Sequence, residues 1–185
     1  MSDFHQNGFV PTLHDLGQRS TQSLEEELKL FSGYRPMELI LPSLYSELAG
    51  PALSGILEQI SQVDYLNHII VGLDQADRDQ CAHAMKFFAD LGQPYTLLWN
   101  DGPRLQALHA ELRELNLGPA ELGKGYNVWY CLGMILARGK AEAVALHDCD
   151  ILTYDRHLLA RLFYPVANPA FQFEFCKGYY PRIAD

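Results

Sequence analysis

Four short apolar runs, 38–41 (ELIL), 68–73 (HIIVGL), 95–99 (YTLLW) and 144–151 (VALHDCDI), are separated by segments whose apolar residues recur at helical spacing. Strand-length runs joined by amphipathic helices predict βαβ crossovers, and therefore an α/β fold: a largely parallel, Rossmann-like sheet flanked by helices. In such sheets ligands bind beyond the carboxyl ends of the strands, where the loops converge. The residues that follow each run are therefore the first candidates for function.

Punctuation sets the expected elements. Ser23 followed by Glu26 has capping-box spacing and predicts a short helix through Phe31, ended by Gly33 and Pro36. Pro42 is expected to break the first strand after Leu41. Gly50-Pro51 predicts a helix with proline at its first position and an inward stripe of Leu53, Ile56, Leu57 and Ile60. Past an Asp-rich turn, Cys81, Ala84, Met85 and Phe88 carry the next helix toward Gly92. Gly102-Pro103 opens another, with Leu105, Leu108, Leu112 and Leu115 inward, closed by Gly118-Pro119. Gly123-Lys124-Gly125 leads into an apolar helix to about Ala137. The aromatic-rich stretch 171–182 reads as a strand emerging into a basic loop. Residues 1–22, polar and without period, are expected to form a flexible arm, and 23–185 a single domain.

Composition narrows the function classes. A net charge of −9 disfavours general attraction to nucleic acid or to an anionic membrane, so neither partner is expected. Cys81, Cys131, Cys149 and Cys176 form no C-x-x-C pair, which suggests reduced thiols in a cytoplasmic protein. The sequence does not open on a basic segment followed by an apolar one, and no apolar run approaches transmembrane length, so neither export nor a membrane span is expected.

The fourth run delivers two carboxylates, Asp148 and Asp150, in D-x-D spacing. Residues two apart on a strand point the same way, so both could face one hard cation, Mg²⁺ or Mn²⁺, that cradles a diphosphate. For the motif alone, a self-solvating acidic turn is an equal alternative. Its position raises the stakes: Ser43, Tyr45 and Glu47 follow the first run, Asp74 the second, and the D-x-D the fourth. Asp74 could accept hydrogen bonds from a ribose or base edge, or cap the next helix. Lys124, between two glycines, suits a phosphate that approaches the backbone closely, or is simply a solvated lysine at a helix entrance. His147 reads as a strand-end histidine rather than a ligand.

The order PSLYSE (42–47), VGLDQADRD (71–79), GKGYNVW (123–129), HDCDI (147–151) and FCKGYYPR (175–182) resembles the GT-A nucleotide-sugar glycosyltransferases. It is most similar to the retaining glucosyl-3-phosphoglycerate synthases and their mannosylglycerate-forming relatives, over 38–185. The resemblance implies a GT-A nucleotide-diphospho-sugar transferase fold and transfer of a hexose from a UDP-glucose-like donor to a small anionic acceptor such as 3-phosphoglycerate. It implies that Pro42, Leu44, Glu47, Asp74, Gly123, Lys124 and Gly125 contact the donor. Asp150 would ligate Mg²⁺ or Mn²⁺ directly, with Asp148 beside it contacting sugar or ribose. Lys177, Gly178, Tyr179 and Arg182 would meet the acceptor. It also implies a homodimer, and a longer chain that supplies a histidine metal ligand, so the sequence is expected to be a C-terminally truncated fragment whose isolated activity is in doubt. His147 departs from the hydrophobic residue expected before the D-x-D. Two rivals stand beside this: a non-catalytic nucleotide-binding module, and a haloacid-dehalogenase-like phosphatase. The latter is disfavoured because Ile151-Leu152-Thr153 is not its usual continuation.

Overall fold

The computed structural model describes residues 13, 16, 18–171 and 173–178. Among them, β1 (Met37–Leu44), β2 (Leu66–Asp74), β3 (Tyr95–Trp99) and β4 (Ala143–Leu146) form one fully parallel sheet in the order β3-β2-β1-β4. Six α-helices connect and cover it: α1 (Thr21–Ser32), α2 (Pro51–Ser61), α3 (Arg78–Ala89), α4 (Pro103–Glu114), α5 (Lys124–Arg138) and α6 (Arg156–Ala167). A 3-10 turn, Tyr45–Ala49, joins β1 to α2.

Alternate residues of the strands feed two cores. Leu39, Leu41, Ile69, Val71 and Leu73 pack with Leu24 and Leu28 of α1, Leu53, Ile56 and Ile60 of α2, Phe88 of α3 and Phe163 of α6. On the other face Ile40 and Ile70 meet Cys131 and Ile135 of α5. Cover on both faces is why β1 and β2 read as continuous apolar runs instead of alternating ones. Each fully buried Leu or Ile stabilises this arrangement by about 1.5–3 kcal/mol relative to exposure.

From β1 the chain adds β2 and β3 on one side, then crosses to the other side of β1 to lay down β4. The order reverses between β1 and β4. Loops leaving those two strands diverge and open a crevice at their carboxyl ends.

Pro42 does not break β1, which continues to Leu44. The carbonyls of Pro36 and Ile40 accept from Ala143 and His147 on the β4 side, each at 3.1 Å. Alternation puts Pro42 on that same side, two residues past Ile40, where the β4 ladder has already ended at Leu146. Its missing N–H therefore removes no rung.

Other expectations are corrected by the packing. Helix α1 begins a few residues before Ser23: Ser20 is the N-cap and accepts from Ser23 N at 3.2 Å, and Glu26 instead receives Gln22 Nε2 at 2.9 Å. Met85 is 57% exposed, whereas Cys81, Ala84 and Phe88 of the same helix are buried. Helix α3 ends at Ala89 with Asp90 as its C-cap, and Gly92 takes its left-handed φ of 69° in the turn beyond. None of the α4 leucines is buried; Leu108 is 45% exposed, and Leu115, the C-cap, is 66% exposed. That helix is tied down by polar contacts instead, His109 Nδ1 to Tyr130 Oη at 2.7 Å and Gln106 Nε2 to the Asn100 carbonyl at 2.7 Å. The fourth strand stops at Leu146, so both D-x-D aspartates lie in the loop after it. The described part of 171–182 contains no strand.

One buried charge pins α5 to the sheet. Glu38, fully buried on β1, accepts from Nε and Nη2 of Arg138 at 3.3 Å each. Among the described residues, no helix is long and apolar enough to cross a membrane.

Candidate functional site

The crevice between β1 and β4 is a cleft of about 280 Å³, toward the small end of ligand pockets. It gathers Pro42, Leu44 and Glu47 from the end of β1, Asp74 from the end of β2, Gly123 and Lys124 from the start of α5, and Asp148 and Asp150 from the loop after β4. Segments that are far apart in sequence meet because each one leaves the same edge of a parallel sheet.

Each residue has a local reason for its place. Glu47 sits in the 3-10 turn and its Oε2 accepts from Leu44 N at 2.8 Å, which holds the turn against β1. Asp74 ends β2 and does not cap α3. That role falls to Asp77, whose carboxylate accepts from Gln80 N at 2.8 Å while Gln80 Oε1 accepts from Asp77 N at 2.8 Å. Asp74 keeps one local hydrogen bond, from Gln75 N at 3.0 Å. Burial raises its carboxyl above the usual aspartate range and the charge of Asp101 adds to this, while the Gln75 amide pulls the other way. Gly123 adopts a φ of 125° at the entrance of α5, a conformation that favours glycine and turns the chain so that Lys124 begins the helix. Lys124 forms an ion pair with Asp148 Oδ1 across the cleft.

In the loop after β4, burial alternates. His147 and Cys149 are 3% and 2% exposed, Asp148 is partly exposed and Asp150 exposed. The alternation of β4 thus continues in burial past its last hydrogen bond, into the turn at 149–150, and both carboxylates line the cleft. Burial drives the His147 imidazole down to about 4, so it is neutral near pH 7, and pushes the Cys149 thiol well up.

The cleft contains four carboxylates, Glu47, Asp74, Asp148 and Asp150, against one ammonium, Lys124. A bare diphosphate would be repelled by that field; a hard divalent cation would be drawn in, and could then bind the diphosphate. Among the described residues no group of three or more His, Cys, Asp or Glu forms a metal cage. The chain can offer such a cation two aspartates, leaving room for phosphate and water oxygens.

Three cleft residues carried no sequence expectation: Gln75, Asn127 and Cys149. Asn127 could have been found, since it lies three residues after Lys124 and so on the same helical face; its Nδ2 donates to the Gly72 carbonyl at 2.8 Å. Gly125 is exposed and does not line the cleft, and Tyr45 turns away to His83 at 3.1 Å. Lys177 and Gly178 do not line it either. Gly178 lies beside Leu162 of α6, and Glu174, Phe175 and Cys176 run along the outer edge of β4 near Val144. Tyr179 and Arg182 lie outside the described residues.

No protein-family model matches the chain. A curated glucosyl-3-phosphoglycerate synthase of Persephonella marina is 46% identical over 99% of this chain. The chain is a relative of the glucosyl-3-phosphoglycerate synthases. A second such synthase, of Methanococcoides burtonii, is 34% identical over 98% of the chain. The chain spans 45% and 44% of these two relatives, less than half of either. A crystal structure of glucosyl-3-phosphoglycerate synthase from Mycobacterium tuberculosis, in complex with Mn²⁺, UDP and glucosyl-3-phosphoglycerate, superposes with a TM-score of 0.50 at 17% identity. The match covers 89% of this chain and 46% of that one. Another, with Mn²⁺, UDP and phosphoglyceric acid, gives the same score over 45% of its chain. The likeness establishes the shared α/β fold, the GT-A type expected from the motifs.

Proposed function

We propose that this chain forms the donor-binding part of a metal-dependent hexosyltransferase that moves glucose from UDP-glucose to 3-phosphoglycerate, with retention of configuration, in the cytoplasm. The observation that carries the reading is the meeting of Glu47, Asp74, Lys124, Asp148 and Asp150 in one cleft at the switch point of the sheet. Similarity to synthases named for this reaction supports the substrates.

Mg²⁺ or Mn²⁺ fits the donor set, with Asp150 and Asp148 as its protein ligands, because such cations are held by one or two carboxylates together with substrate phosphates. When bound, the cation neutralises charge on the nucleoside diphosphate leaving group. Lys124 meets the phosphates as a point charge, exchanging its contact with Asp148 for the ligand. Asp74, an acceptor when ionised, takes hydrogen bonds from the nucleoside. Pro42, Leu44 and the Gly123 backbone form the wall against which the donor lies. Gly125 belongs to the same segment without lining the cleft, and Lys177, Gly178, Tyr179 and Arg182 are assigned to the acceptor. No side chain is required as a covalent nucleophile.

The test is turnover. The product of the complete gene, given UDP-glucose, 3-phosphoglycerate and Mn²⁺, is expected to form a glucosyl-3-phosphoglycerate with the anomeric configuration of the donor, read by NMR. Binding of UDP with no transfer to any glycerate acceptor would contradict the reading and favour a non-catalytic nucleotide-binding module.

A further inference from the structure

Both ends of the loop that carries Asp148 and Asp150 are fixed from its buried side. At the start, His147 N donates the last rung of the sheet to the Ile40 carbonyl at 3.1 Å, and the His147 ring is 3% exposed. At the other end stands Tyr154, 8% exposed in the main core, followed by Asp155, which caps α6 by accepting from Leu158 N at 3.1 Å. The two ends are joined by a side-chain hydrogen bond: His147 Nδ1 lies 3.1 Å from Tyr154 Oη, with the rings edge to face at 5.3 Å. Between them only Cys149 turns fully inward, while Leu152 is 74% exposed.

We propose that His147 and Tyr154 form a hydrogen-bonded clasp that positions Asp148 and Asp150 for the cation-bound diphosphate. Neither residue touches the cleft, so both act through the aspartates. The pair closes a loop whose own packing is confined to one buried side chain, Cys149, and one partly buried one, Ile151. A loop held at both ends presents its carboxylates in one arrangement, and the cost of ordering them is met on folding instead of on binding. Partners behind metal ligands characteristically govern metal affinity in this way. The inference rests on the reading of Asp148 and Asp150 as cation ligands.

The experiment is UDP titration by calorimetry, with and without Mn²⁺, on the 185-residue chain and three variants. Tyr154→Phe removes the hydroxyl and keeps the ring; His147→Leu removes the hydrogen bond; His147→Asn keeps a polar atom near the place of Nδ1. In Tyr154→Phe and His147→Leu the gain in UDP affinity on adding Mn²⁺ is expected to fall by roughly tenfold. UDP affinity without metal should stay near wild type, and the melting temperature within about 4 °C. His147→Asn should recover most of the gain. An undiminished gain in Tyr154→Phe and His147→Leu overturns the proposal, as does a parallel loss of metal-free affinity and melting temperature, which would mark a purely structural pair. A wild-type chain that gains nothing from Mn²⁺ overturns the underlying assignment of the aspartates, and is told apart because it fails before any substitution.

Discussion

Asp74 is where burial and function pull against each other. Its carboxyl is raised by desolvation first and by Asp101 second, whereas under the proposed function it accepts hydrogen bonds from a nucleoside, which the ionised form, an acceptor at both oxygens, serves best. The contribution of Asp74 to UDP affinity, taken as the difference between wild type and Asp74→Asn, is therefore predicted to fall as pH drops, with a midpoint above the ordinary aspartate value of about 3.9. Because the folded value lies above the unfolded one, the residue costs stability at neutral pH, and the cost vanishes as pH falls through the folded value and then the unfolded one. Asp74→Asn should thus bind UDP more weakly at pH 7, lose that part of the pH profile, and be no less stable than wild type. Calorimetry across pH together with urea denaturation checks all three. An unchanged profile in the variant would remove Asp74 from the donor site.

Between elements, the contact that sets the cleft floor is α5 against β2. Gly72 has no side chain where one would meet Asn127 Oδ1 at 1.8 Å and Cys131 Sγ at 2.5 Å. Its bareness lets Asn127 reach the Gly72 carbonyl. Gly72→Ala should push α5 outward and destabilise the protein by roughly 1–3 kcal/mol in urea unfolding, with weaker UDP binding because Lys124 begins that helix. A variant of wild-type stability would show that α5 is not seated on Gly72. Elements of this kind differ in how far they were legible beforehand. Strands β1 and β2 could be read because two-sided burial leaves continuous apolar runs, and the half-buried Tyr95–Trp99 matches its run at both ends. The leucine periodicity of α4 misled because the helix shields little of the sheet, so its apolar spacing met solvent and polar partners. Pro42 misled because its effect depends on which side of the strand its neighbour occupies, and that is settled only by the crossover to β4.

At the scale of the molecule, the candidate site was legible as soon as the topology was. Glu47, Asp74, Asp148 and Asp150 are linked in sequence only by the rule that parallel strands end on the same side, and that rule suffices to place them together, whereas Lys124, at the start of α5, was expected there from its flanking glycines and the family resemblance. Lys177 could not be placed that way, since it follows α6 and no strand leads to it. On the α5 face, Leu136, Leu132, Leu146 and Val144 stay 80%, 42%, 44% and 39% exposed, in a chain spanning less than half of its curated relatives.

The excess of carboxylates in the cleft makes the central claim testable in one step, because a diphosphate should bind well only when a divalent cation accompanies it. UDP is titrated into the chain by calorimetry with Mn²⁺ and with chelator, then into Asp150→Ala. The account predicts that Mn²⁺ strengthens binding at least tenfold, by 1.4 kcal/mol or more, and that Asp150→Ala removes most of that gain without weakening the metal-free affinity. Equal affinity with and without Mn²⁺, unchanged in Asp150→Ala, would contradict it.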